Sequence, residues 1–180
     1  MSEIARSWYV LHVRPRTEKK VAAYMGFWRC WHYLPLCRRT RRVQRRTGVT
    51  ETPLFPGYVF ARLDPYERAQ VRKSNMIVRF ISVERPRELI HQLRQIAHAG
   101  RAEPELRTVG LFKEGDLVRV TQGPFYGIEG YIRRDAGGSR IVLNLEILGQ
   151  AVEVSIAPSE CERVDIRTAD DAGKEQGEAR

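Results

Sequence analysis

Cysteine is scarce in this sequence and poorly spaced for chemistry. Cys30, Cys37 and Cys161 are odd in number and show no Cys-x-x-Cys spacing, which argues against a disulfide framework or a zinc ribbon. Cys30 and His32 alternate onto one strand face, with Cys37 not far behind. A structural zinc takes four ligands and no fourth is evident nearby, so these are expected to be core residues, with no metal and no cofactor. Long apolar runs are also missing: nothing approaches the ~18 residues of a membrane span. Met1–Arg6 leads into a strand-like run where a signal peptide would have its apolar segment, so the cytoplasm is the expected compartment and no membrane partner is expected. Catalytic motifs are lacking as well. There is no phosphate-binding Walker loop, no nucleophile elbow and no carboxylate pair beside a plausible base; Glu51, Asp64 and Asp116 read as turn or strand-edge residues. No enzymatic activity is expected.

What is present is a packed core and an uneven charge. Apolar residues make up 42% of the 180, enough to exclude wholesale disorder. Residues 1–100 hold 20 Lys and Arg against 7 Asp and Glu, whereas residues 101–180 hold 11 against 15. The first part suits a polyanion and the second does not.

Ser7–Val13 carries apolar and aromatic residues on both alternating faces and reads as a central strand. Thr17 is a plausible N-cap for a helix whose stripe is Val21, Tyr24, Met25 and Trp28. Further strands are expected at 30–36, 54–63 and 77–83, with a short helix over 66–73. A helix opening at Pro86 presents Leu89, Ile90, Leu93, Ile96 and Ala97 and ends at Gly100. Residues 38–46 hold six arginines in nine positions, and with Gly48 as punctuation they read as a protruding hairpin or loop. The expected fold is an α+β N-terminal domain over residues 1–99, an antiparallel sheet with packed helices. Residues 100–110 lack periodicity and read as a loose linker. Five short strands over 111–166, separated by Gly and Pro turns, suggest a small all-β barrel. The polar residues 167–180 are expected to be disordered.

Three segments resemble the NusG family of transcription elongation factors: Ser-Trp-Tyr-Val-Leu at 7–11, Pro-Leu-Phe-Pro-Gly-Tyr-Val-Phe at 53–60, and Gly-Asp-Leu-Val-Arg-Val at 115–120. The last is followed by Gly123-Pro124-Phe125 and Gly127-Ile128-Glu129-Gly130, the pattern of a KOW module. The resemblance implies an N-terminal domain that docks an apolar concavity on the clamp helices of the RNA polymerase largest subunit. It also implies a KOW barrel that recruits a small-subunit ribosomal protein or the termination factor Rho, and a monomer that acts in elongation and antitermination. Val13–Val21, Leu89–Leu93 and Val142–Leu145 are similar to segments of RfaH and of polysaccharide-operon antiterminators, which implies an operon-specific factor. Where housekeeping members carry Ile-Phe-Gly-Arg, this chain has Ile147-Leu148-Gly149-Gln150. It also has Glu67-Arg68-Ala69-Gln70 at the place of a His-Thr-Thr element in RfaH.

Candidate polymerase-binding residues are Phe55, Pro56, Tyr58 and Phe60, with His12 and Phe80 completing the concavity. Phe55 beside Pro56 suits an exposed anchor, because binding hot spots favour rigid aromatics; Tyr58 suits either core or contact. Candidate nucleic-acid contacts are Arg14, Arg16, Lys19 and Lys20 at the first strand–helix junction, Arg41 and Arg42 in the arginine run, and Arg72. Cations at a helix N-terminus oppose its dipole, which suggests an anion nearby. The resemblance makes that anion the displaced non-template DNA. The arginine run reads equally as a solvated basic hairpin or as a DNA or RNA contact, its position suggesting upstream duplex DNA. Phe125, Ile147 and Leu148 are the candidate KOW partner contacts, Phe125 doubling as a barrel plug. The alternatives are a housekeeping factor coupling polymerase to the ribosome or Rho, and a ribosome-associated RNA-binding KOW protein. The β-branched residues of 141–156 and its flanking glycines are expected to hold the barrel in its β form and leave the polymerase site open.

Overall fold

A computed structural model describes residues 5–43, 46–110, 115–135 and 138–164; the tail expected at 167–180 lies outside them. The N-terminal sheet contains β1 (Ser7–Val13), β2 (Trp31–Tyr33), β5 (Tyr58–Leu63) and β6 (Ile77–Ser82) in the order β2-β5-β1-β6, all antiparallel. Alternation splits it into two apolar faces. Leu11, Val13, Val59, Ala61 and Leu63 pack with Val21 and Met25 of helix α1 (Glu18–Phe27) and Val71 of helix α2 (Pro65–Lys73). Val10 and Phe60 belong to the opposite cluster with Leu89, Leu93 and Ile96 of helix α3 (Pro86–Ala102).

The helices start in different ways. α2 has a reciprocal capping box: Asp64 Oδ1 accepts the Glu67 N–H at 2.8 Å, and Glu67 Oε2 accepts the Asp64 N–H at 2.9 Å. α1 lacks a side-chain cap, because the Thr17 hydroxyl donates backwards to the Arg14 carbonyl at 2.7 Å. The buried positions of α1 are Glu18, Val21 and Met25, so the expected stripe is displaced by one turn. Trp28 is the C-cap, 39% exposed, because the chain leaves the helix through Arg29 at φ 54°. Glu18 tolerates burial because its carboxylate accepts the Gly57 N–H at 2.7 Å.

The arginine run supplies most of β3 (Leu36–Val43), which forms a two-stranded hairpin with β4 (Arg46–Pro53), paired from Leu36↔Pro53 to Val43↔Arg46. Gly48 therefore pairs inside a strand, opposite Arg41, and does not make the turn.

The C-terminal unit is a six-stranded antiparallel sheet in the order β12-β8-β9-β10-β11-β7. Its strands are β7 (Arg107–Gly110), β8 (Leu117–Val120), β9 (Glu129–Asp135), β10 (Gly138–Leu145), β11 (Gln150–Ser155) and β12 (Cys161–Arg163). Within the segment 141–156, Ile141–Leu145 and Gln150–Ser155 are strand as expected, joined by a one-turn 3-10 stretch at Glu146–Leu148 and a turn at Gly149. Gly130 has no room for a side chain: a Cβ there would lie 2.6 Å from both Ile141 Cγ2 and the Val142 carbonyl. The expected loose linker at 100–110 is not observed. α3 runs to Ala102, and Arg107–Gly110 is an edge strand on β11, short enough to leave no periodic signal. The intervening chain is held too, by Arg38 N–H to the Pro104 carbonyl at 2.8 Å and Thr40 Oγ to Glu105 at 2.6 Å. The two units share one apolar cluster, in which Val118, Ile132, Leu143 and Val154 join the residues packed under α3.

Candidate docking groove and basic surface

The strand register fixes which side chains share the α3 face of the N-terminal sheet. Trp31, Arg62 and Trp8 form one cross-strand row, Tyr33, Phe60, Val10 and Ile81 the next, and Tyr58 with His12 follows. α3 covers the middle row and leaves the first partly open. A groove of about 400 Å³ remains between that row and α3, lined by Trp8, Trp31, Tyr33, Ile90, Leu93 and Ala97, with Arg6, Arg62 and Arg94 at its edge. Trp8 and Trp31 meet edge to face at 4.6 Å, and Trp31 is 49% exposed. Burial pushes the Tyr33 phenol up, with Arg101 opposing the shift, so the ring stays neutral.

The edge arginines differ. Arg6 is clamped by Glu67, donating from Nε at 3.1 Å and from Nη2 at 2.9 Å; this hydrogen bond and the charge of Glu67 raise its pKa further. Arg62 and Arg94 make no ion pair among the described residues. An apolar groove with two free guanidiniums suits an amphipathic segment carrying carboxylates beside its apolar residues.

The sequence-derived docking residues are only partly brought together. Phe55 and Phe60 are 1% and 0% exposed and meet edge to face at 6.4 Å, so Phe55 is a core residue and not the expected exposed anchor. The chain turns at Gly57, at φ 84°, and this folds Phe55 back under the sheet while Pro56 stays exposed. His12 and Tyr58 are half-buried and stack at 5.3 Å on the α3 face. Phe80 is on the other face, against Tyr9 at 6.0 Å, because it alternates with Ile81 along β6. The groove residues Trp8, Trp31, Ile90 and Leu93 were not singled out as contacts from sequence. The available signal was a second tryptophan at the edge of the sheet, visible only once the register is known.

Among the basic candidates, Arg14, Arg16 and Lys20 are exposed. Lys19 is engaged, its ammonium donating to the Glu51 carbonyl at 2.7 Å. The side chains of Arg41 and Arg42 lie outside the described residues. Arg72 is exposed, its guanidinium 5.3 Å from the centre of the Phe80 ring. In the all-β unit, Phe125, Ile147 and Leu148 are half-buried and pack against the shared cluster. Their neighbours touch α3: Glu146 N–H donates to Gln92 Oε1 at 3.3 Å, and His98 Nε2 lies 3.3 Å from the Pro124 carbonyl.

Comparison with known proteins adds a family. The model of the NusG family, described as transcription termination factor nusG, matches residues 6–96. The transcription termination/antitermination protein NusG of Helicobacter pylori strain 26695 is 27% identical over 128 residues, covering 66% of this chain and 70% of its own. Its counterpart in Pseudomonas aeruginosa PAO1 is 28% identical over 181 residues, covering 89% of this chain and all of its own. A solved structure described as domain interaction in Thermotoga maritima NusG is 25% identical, covers 89% of this chain and 98% of that one, and has a TM-score of 0.44.

Proposed function

Because the chain belongs to the NusG family, we propose that it is a non-enzymatic transcription elongation factor that docks on RNA polymerase through its N-terminal unit and acts in antitermination. The observation that carries this reading is the open aromatic groove between the Trp31–Arg62–Trp8 row and α3. Clamp helices of the polymerase largest subunit are the proposed occupant, their apolar residues against Trp31 and Ile90 and their acidic ones beside Arg62 and Arg94. Arg14, Arg16 and Lys20 face the displaced non-template strand. The test is co-elution of the purified chain with core polymerase, and its competition by a clamp-helix peptide. Ile90→Asp, which places a carboxylate among apolar groove residues, abolishes co-elution while far-ultraviolet circular dichroism stays unchanged. Retained co-elution by a folded variant sinks the groove as the docking site.

We favour an operon-specific role over a general one. Ile147 and Leu148, the residues a recruited partner would meet, are packed toward α3. The partner-facing loop therefore serves the intramolecular contact first, and ribosomal protein or Rho is bound weakly by the intact chain. Full-length protein that binds either as tightly as a housekeeping NusG does contradicts this preference.

A further inference from the structure

The end of α1 displays apolar surface that neither the core nor the helix requires. Phe27 is 80% exposed and stands edge to face with exposed Trp28, the ring centres 5.7 Å apart and the planes at 88°. The last turn holds no basic residue to complement the helix dipole, and it includes Gly26, a poor helix former. This composition does not serve the helix. Of the eight large apolar residues exposed among those described, four, Phe27, Trp28, Trp31 and Tyr66, lie at one end of the N-terminal unit. Trp31 meets Trp8 there, and Arg6, two residues before Trp8, is bonded to Glu67 beside Tyr66 at the start of α2. Clustering of this kind, unlike scattered exposure, marks an interaction surface.

The cluster wraps around β2, an edge strand paired only with β5. Trp31 turns to the α3 face, toward Trp8. α1 packs on the other face, and its end rests against the same strand. The Cys30 N–H donates to the Met25 carbonyl at 2.9 Å, and a Cβ on Gly26 would lie 3.7 Å from His32 Cε1. The docking groove thus runs out over the β2 edge to Phe27 and Trp28. Arg29 follows them in the left-handed conformation, at φ 54°, where glycine is the usual residue. Arg29 and Arg62 are exposed and make no ion pair among the described residues.

We propose that this corner is a second docking contact for the protein that fills the groove, and that it takes a segment with an apolar side chain flanked by carboxylates. The assignment rests on the reading of the groove as a polymerase-docking site. Two perpendicular rings frame a notch that a leucine or an aromatic side chain fills, whereas bases stack on flat, open platforms. The flanking carboxylates meet Arg62 on the groove side and Arg29 beyond α1. A second copy of this chain does not suit the corner. A twofold contact pairs a patch with itself, so it would bring Arg29 and Arg62 toward their own counterparts. Residues 1–100, which hold both, carry 20 Lys and Arg against 7 Asp and Glu, and repel a like surface.

The test is equilibrium binding of the full-length protein to core RNA polymerase. Phe27→Ser, at a site too exposed to disturb the core, weakens binding about tenfold, and Phe27→Tyr, which keeps the ring, stays within about twofold of the parent. Arg29→Gln weakens it about threefold, a loss that shrinks at high salt. Val78→Ser removes exposed apolar surface at the opposite edge of the sheet and stays within about twofold. Unchanged binding by Phe27→Ser, with loss in Trp31→Ala, overturns the corner and leaves the functional reading standing. If neither variant loses affinity, that reading falls with it. Loss in Phe27→Ser alone separates the corner from the groove and overturns their joint occupation. A concentration-dependent dimer of the parent, seen by sedimentation velocity without polymerase and abolished by Phe27→Ser, assigns the corner to a second copy and overturns the proposal. A weaker grip of Phe27→Ser on a single-stranded 20-mer, with polymerase binding intact, makes the corner a base-stacking site and overturns it too.

Discussion

In the all-β unit, Arg119 reaches Glu129 at 2.6 Å, Arg163 reaches Asp116 at 2.8 Å, and Arg133 and Arg140 converge on buried Glu153 at 2.6 and 3.4 Å. In the N-terminal unit, Arg62, Arg68, Arg72 and Arg94 line open grooves and make no such pairs among the described residues. The same side chain binds strands together in one unit and is left open to solvent in the other. A count of charges along the chain signals the imbalance but cannot tell the two uses apart, because pairing depends on strand register. Arg133 and Glu153 are twenty positions apart in sequence, yet both flank β10 and meet across it.

The comparison can be broken at several points. The largest effect is expected at Phe55. As a core residue its replacement by alanine costs about 3–5 kcal/mol of stability, read from the denaturant midpoint. A folded, equally stable variant with lost polymerase affinity would return Phe55 to the surface role that its sequence context suggests. Gly130→Ala follows, at about 3 kcal/mol, because the new Cβ meets both a side chain and a carbonyl of β10; an unchanged midpoint would show that β9 and β10 are not so closely packed.

Glu153→Ala tests the cohesive use of arginine directly. It removes the carboxylate on which both guanidiniums converge, and since both are about one-third exposed, the cost is about 2 kcal/mol, below that of a fully buried pair. Arg85→Gln removes the exposed Arg85–Glu88 pair of the N-terminal unit and changes stability by less than about 0.5 kcal/mol. Equal costs would erase the distinction between the units.

The smallest effect concerns pH. Burial pushes the Cys30 thiol up, with Glu67 and Asp64 acting in the same direction. A group whose folded pKa is raised contributes fully below its ordinary value, here 9.0. That contribution is lost as the pH climbs through the folded value. Thermal melts should therefore show a shallower decline above pH 9 in Cys30→Ala than in the parent; identical declines would mean that the thiol titrates normally.

Much of the fold was legible because periodicity reports burial. The two-faced apolar character of Ser7–Val13 marked the central strand, and the stripe of α3 was visible from Leu89 onwards. Two features escaped. Trp28 fits the helical stripe in sequence, but the chain ends α1 one residue earlier, and only the left-handed Arg29 explains why. β7 is four residues long and borrows its stability from β11, so no local pattern announces it. The candidate site was harder. An aromatic beside Pro56 and Gly57 suggests exposure, whereas the turn carries Phe55 inward. The groove assembles Trp8, Trp31 and Ile90 from three elements whose adjacency depends on strand order.

The central claim is that the N-terminal unit, through the Trp31 groove, is the part that meets polymerase. Trp31 is 49% exposed there, and Tyr126 of the all-β unit is 66% exposed, so each can be removed without emptying a core. Equilibrium binding of the full-length protein to core RNA polymerase should weaken by about 30-fold, or about 2 kcal/mol, in Trp31→Ala. It should stay within about twofold of the parent in Tyr126→Ala. Undiminished binding by Trp31→Ala, or a larger loss in Tyr126→Ala, would contradict the account.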